Sequence, residues 1–95
     1  MTTLILYSKP GCHLCEGLEA KLRAMTSPPF NLPLTLEIRD ITQNAAWFQV
    51  YQYEIPVLCR LCPGGETTPP QEMRLPRPSP RLSVAQLQKF LQKHL

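Results

Sequence analysis

A chain of 95 residues has room for one domain (1–95) and one hydrophobic core, not two. Its composition, 43% hydrophobic and 18% charged, is that of a soluble globular protein, and a net charge of +3 falls far short of a nucleic-acid footprint. No apolar run approaches a membrane span, and Leu4-Ile5-Leu6 gives way to Tyr7-Ser8-Lys9 too soon for a secretory signal, so a cytoplasmic setting is expected. In such a setting cysteine pairs tend to be catalytic or metal-binding.

Of the 11 prolines, Pro10 precedes Gly11 and the other ten fall at Pro28, Pro29 and Pro33, at Pro56, and from Pro63 to Pro80, so they mark connections. Thr3–Tyr7 reads as a short strand buried on both faces, broken by Ser8-Lys9-Pro10-Gly11. From Cys12 the period becomes helical, with Leu14, Leu18, Leu22 and Met25 on one stripe, until Ser27-Pro28-Pro29 stops it. Leu34 to Ile41 alternates as a second strand. Thr42 is placed to cap a short helix with Ala46, Trp47, Val50 and Tyr51 as its apolar stripe.

After Tyr53-Glu54-Ile55-Pro56 comes a third strand, Val57–Cys62, then a turn at Pro63-Gly64-Gly65-Glu66 and a short fourth strand near Glu72–Leu75. Pro76-Arg77-Pro78-Ser79-Pro80 is neither helix nor central strand, and reads as an extended connection. The last helix is announced by a Ser83/Gln86 capping box with a Leu82/Leu87 staple. Val84, Leu87, Phe90 and Leu91 form its buried face, and Lys89, Lys93 and His94 suit its negative end. The order β-α-β-α-β-β-α predicts an α/β fold, a central mixed four-stranded sheet with helices on both faces.

The chemistry concentrates at Gly11-Cys12-His13-Leu14-Cys15, where a buried strand ends and an amphipathic helix begins. Two cysteines three apart on a first helical turn are neighbours and can close a disulfide. The free N–H groups and positive end of the helix favour a thiolate at Cys12, the attacking species in disulfide exchange. Cys12 is then the exposed nucleophile and Cys15 the resolving thiol. The competing readings are half of a zinc site or two unrelated buried thiols.

Leu4-Ile-Leu-Tyr-Ser-Lys-Pro-Gly-Cys-His-Leu-Cys15, followed at a distance by Ile55-Pro56-Val57, resembles glutaredoxins. More narrowly it resembles short glutaredoxin-like proteins with a K-P-G-C-x-L-C core. The resemblance covers almost the whole chain. It implies a thioredoxin fold, dithiol–disulfide oxidoreductase chemistry, and a cis proline at Pro56 facing the cysteines. The chain departs from classical dithiol glutaredoxins in two places. His13-Leu14 replaces Pro-Tyr between the cysteines, and Pro76–Arg81 stands where a Gly-Gly-acidic segment helps hold glutathione. Glutathione is therefore expected to serve at most as a weak electron donor, with no bound cofactor.

A cis Ile55–Pro56 bond would turn the Ile55 backbone toward the couple, where an extended peptide could pair with it. Lys9 and His13 are the candidate basic neighbours of the thiolate. Cys59 and Cys62 form a second C-x-x-C, but in a strand three residues span about 10 Å and alternate faces, so neither a disulfide nor a zinc site is expected there. Arg74, Arg77 and Arg81 read as solvated charges, and Trp47, Tyr51 and Phe90 as core.

The sequence thus predicts a monomeric thiol–disulfide oxidoreductase acting on protein or small-molecule disulfides. Its electron donor would be a reductase or glutathione, and its site residues Cys12, Cys15, Lys9, His13, Ile55 and Pro56. A redox-inactive binding module and a metal or iron–sulfur carrier are the alternatives.

Overall fold

The computed structural model describes residues 2–94. Strand β1 (Thr2–Ser8) leads into helix α1 (His13–Met25), and β2 (Leu34–Asp40) into a 3-10 turn (Ile41–Gln43) and helix α2 (Ala45–Tyr51). Strands β3 (Val57–Cys62) and β4 (Gln71–Arg74) precede helix α3 (Val84–His94). The sheet order is β2-β1-β3-β4. β1 runs parallel to β2, with Leu4 opposite Leu36, while β1–β3 and β3–β4 are antiparallel. This is the expected thioredoxin-like β-α-β-α-β-β-α topology.

Because β-strand side chains alternate faces, the buried stretch Leu4–Ser8 of β1 serves two cores at once. Leu4 and Leu6 join Leu22, Met25, Leu58, Leu75, Leu87 and Leu91 under α1 and α3. Ile5 and Tyr7 join Ile41, Val57 and Cys59 on the opposite face, covered by Trp47 and Tyr51 of α2. Burying each such side chain contributes about 1.5–3 kcal/mol. The capping box forms as read: Ser83 N–H donates to Gln86 Oε1 at 2.9 Å, and Gln86 N–H to Ser83 Oγ at 3.2 Å.

Four local expectations are corrected. Asn44, not Thr42, caps α2, its Oδ1 accepting the N–H groups of Ala46 and Trp47. Thr42 instead lies in the 3-10 turn, tied through its N–H and hydroxyl to Asp40 Oδ1 at 2.9 and 2.6 Å. Val50 is 58% exposed, because so short a helix covers the sheet through Trp47 and Tyr51 alone. Leu14 is 52% exposed, and in the same turn Cys15 is buried in its place. In the first turn of α1 the apolar face looks onto the Pro56 loop instead of the core. Finally, Arg74 and Arg77 are not merely solvated; both bind the segment before Pro56.

Candidate active site

Gly11 closes the turn between β1 and α1 at φ +83°, a conformation that glycine adopts without a Cβ clash. The turn is tied by Cys12 N–H donating to the Lys9 carbonyl at 3.3 Å. Cys12 is thereby left as the N-cap of α1, with extended backbone and its side chain over the first turn. Its Sγ accepts the Cys15 N–H at 3.2 Å, filling the role that a serine or aspartate oxygen plays at other helix starts. The two sulfurs are bonded as a disulfide, with the Cα atoms 5.3 Å apart.

Cys12 is half-buried, whereas Cys15 is 1% exposed. In the dithiol form the same cap geometry would hold a thiolate at Cys12, through one N–H and the roughly half-unit positive charge of the helix end. The arrangement can therefore make and break one S–S bond, with one sulfur on a half-buried residue at the helix start and the other on a buried residue behind it.

Pro56 is buried and the Ile55–Pro56 bond is cis. The segment before it is tied down on both sides. Ile55 N–H and Glu54 N–H both donate to the Tyr51 carbonyl, at 3.1 and 2.9 Å. Arg77 Nη2 donates to the Glu54 and Ile55 carbonyls at 3.0 and 2.7 Å, and Arg74 pairs with the Glu54 carboxylate at 3.3 Å. The Ile55 N–H is thus already engaged within the chain, and its carbonyl keeps one free lone pair.

His13, Leu14 and Pro56 meet on a single groove of about 380 Å³ that runs between α1 and the proline-rich segment. Lys9 lies apart from it, on a shallower groove with Cys15 and Glu16. The structure therefore brings His13 to Pro56 and separates both from Lys9. His13 is almost fully exposed, its Nδ1 3.7 Å from the Glu16 carboxylate. Arg77 and Gly17, absent from the sequence-predicted set, also line the groove. A glycine inside an amphipathic helix was a visible signal; the tertiary role of Arg77 had none.

Cys59 and Cys62 are free thiols; Cys59 is buried against α2, and burial pushes its pKa up. Among the described residues, no group of three or more His, Cys, Asp or Glu side chains is placed to hold a metal ion. No helix among them is long and apolar enough to cross a membrane.

Residues 3–92 match the family model described as Glutaredoxin-like domain (DUF836). No curated protein sequence matches the chain. Among solved structures, it is similar to the structural-genomics target protein XcR50 from X. campestris, with 21% identity, a TM-score of 0.54, and 95% of this chain and 96% of that one covered. It is also similar to a malarial protein, with 16% identity, a TM-score of 0.63, and coverage of 100% and 98%. At these identities the likeness is one of fold.

Proposed function

Because the chain belongs to the glutaredoxin-like domain family, we propose that it is a thiol–disulfide oxidoreductase working through the Cys12/Cys15 couple. The observation that carries this reading is Cys12 Sγ at the N-terminus of α1, accepting the Cys15 N–H while Cys15 is buried behind it. In the reduced protein, the Cys12 thiolate attacks one sulfur of a substrate disulfide. A Cys12–substrate S–S bond forms, and the other substrate sulfur leaves as a thiolate that takes a proton from solvent. Cys15 then gives up its proton and attacks Cys12 Sγ, releasing the second substrate thiol. Two electrons have passed to the substrate, and the Cys12–Cys15 disulfide of the structure is the oxidised product.

An external dithiol reductase, or less readily glutathione, returns the two electrons. Partners are then disulfide-bearing polypeptides or small molecules and a thiol donor, met as a monomer in a reducing compartment such as the cytoplasm. His13 and Pro56 flank the incoming sulfur, and the Ile55 carbonyl offers its remaining lone pair to the substrate. Lys9 adds positive potential on the far side of the couple.

The test is a single-turnover reaction. Reduced protein mixed with hydroxyethyl disulfide should yield two equivalents of mercaptoethanol and the intramolecular disulfide, read by mass spectrometry after acid quench. A Cys12→Ser protein that reacts at the native rate would overturn the reading.

A further inference from the structure

Gly17 stands inside α1, two residues beyond Cys15, and nothing in the fold requires a glycine there. Its backbone is helical, and a Cβ built on it would meet no atom within 4 Å. Glycine destabilises a helix interior relative to alanine, so the position carries a cost that packing does not explain. Gly17 lines the groove of about 380 Å³, a volume typical of small-ligand sites, and the space that a side chain there would take is open.

The groove has a consistent chemistry. Leu14, Leu18, Leu82 and Pro78 give it an apolar body, and Leu14 is left half in solvent at the first turn of α1. Its ionisable lining residues, His13, Lys21 and Arg77, are all basic, and none of its lining residues is acidic. Lys21 Nζ donates to the Pro80 carbonyl at 2.7 Å, which fixes the far wall to α1. Arg77 spends only Nη2 on the loop carbonyls; its Nε and Nη1 have no partner among the described residues. His13 adjoins Cys12, so the groove begins one residue along the chain from the couple.

Resting on the redox reading above, we propose that the groove beside Gly17 is a specificity subsite. Its occupant is a polypeptide disulfide with a large apolar side chain next to the reacting half-cystine and a carboxylate beside that. The apolar side chain fills the space that the missing Gly17 side chain leaves, and the carboxylate faces Lys21 and Arg77. Glutathione, with two carboxylates and no large apolar group, would leave the apolar body of the groove uncovered.

The experiment compares single-turnover rate constants of the reduced full chain with peptide disulfides differing at one position. The neighbour of the half-cystine is leucine or serine, and the residue after it glutamate or lysine. Hydroxyethyl disulfide serves as the probe of the couple itself. The leucine–glutamate peptide should react about tenfold faster than the serine counterpart, a difference of about 1.4 kcal/mol, and several-fold faster than the leucine–lysine one. Gly17→Leu, which fills the groove from open space on a helix that favours leucine, should bring leucine and serine peptides within about twofold of each other.

Equal rates for the peptides in the native protein, or a preference that survives in Gly17→Leu, would overturn the subsite and leave the redox reading standing. The native comparison decides this without any variant. Failure to react with any disulfide, hydroxyethyl disulfide included, would overturn the redox reading and the subsite with it.

Discussion

The guanidinium of Arg77 closes on the Ile55 carbonyl at 2.7 Å, so the residue before Pro56 is held from a segment that lies beyond β4. One nitrogen also takes the Glu54 carbonyl, and Arg74 holds the Glu54 carboxylate. The wall of the groove that faces His13 and Leu14 is thereby braced by two arginines from outside its own element.

Arg77→Ala should therefore loosen the Pro56 wall without touching the start of α1. Hydrogen bonds from a charged donor at a solvent-exposed site contribute about 1 kcal/mol here, so the melting temperature should fall by a few degrees. The larger effect is expected in catalysis: KM for a peptide disulfide should rise several-fold, while the pH dependence of Cys12 alkylation stays where it is. A shift in that alkylation profile would show that Arg77 acts on the thiolate instead.

The two cysteines should separate cleanly by role. Cys12→Ser should abolish disulfide reduction, whereas Cys15→Ser should accumulate a mixed disulfide at Cys12, because no thiol remains to displace it. Peptide mapping of the trapped adduct identifies the sulfur. In the reduced native protein, iodoacetamide near neutral pH should modify Cys12 first and leave Cys59 last, since burial both shields Cys59 and holds it protonated. Early labelling of Cys59 or an adduct on Cys15 would contradict this.

Much of this architecture is legible in the sequence because it rests on local signals. The unbroken apolar run Leu4–Tyr7, the glycine before Cys12 and the Ser83/Gln86 box each act within a few residues, and each appears as read. The errors come where tertiary contacts compete. Two side chains within three residues can cap α2, and Asp40 claims Thr42 first, leaving Asn44. Helical period puts Leu14 on the buried stripe, but only the position of the Pro56 loop decides that its turn faces a groove. Arg77 binds backbone carbonyls more than 20 residues away, and a main-chain acceptor leaves no trace in a sequence.

Tyr7 joins both concerns, core and electrostatics. Its hydroxyl donates to Glu72 and accepts from Arg39 Nη1 at 2.8 Å, linking β1, β2 and β4 across the face that α2 covers. Burial and the Glu72 carboxylate raise its pKa well above the phenol value of 10.0, and burial likewise raises Tyr51 and the Cys59 thiol from 10.0 and 9.0. For each group the folded value exceeds the unfolded one, so the unfolded chain releases its proton first. The associated stability is complete below the ordinary values and is lost as pH rises above them. Melting temperature should hold up to about pH 9 and then decline. Tyr7→Phe should cost about 1–2 kcal/mol near neutrality and make the alkaline decline shallower. An unchanged slope in Tyr7→Phe would remove Tyr7 from the account.

The chain should use glutathione poorly as an electron donor. Classical glutaredoxins bring glutathione against the backbone of a glycine pair, which lets the chain approach closely and offers N–H donors. Here the corresponding stretch is Pro76-Arg77-Pro78-Ser79-Pro80-Arg81, in which three residues lack an N–H. Arg77 has one of its nitrogens committed to the Glu54 and Ile55 carbonyls, and Ile55 N–H is committed to Tyr51, so the donors nearest Pro56 are partly spent. The opposing effect is charge: Arg77 and Arg81 are exposed and attract carboxylates. Attraction between exposed charges is screened within about 10 Å at 0.1 M salt, so any glutathione turnover that rests on it should fall steeply as salt is added. Reduction of a glutathione mixed disulfide, coupled to glutathione reductase, should run about tenfold or more below a classical glutaredoxin, the equivalent of about 1.4 kcal/mol or more of lost binding. The same protein assayed with a thioredoxin reductase sets the comparison. Turnover equal to a classical glutaredoxin, and insensitive to salt, would show that the proline-rich segment replaces the glycine pair without loss.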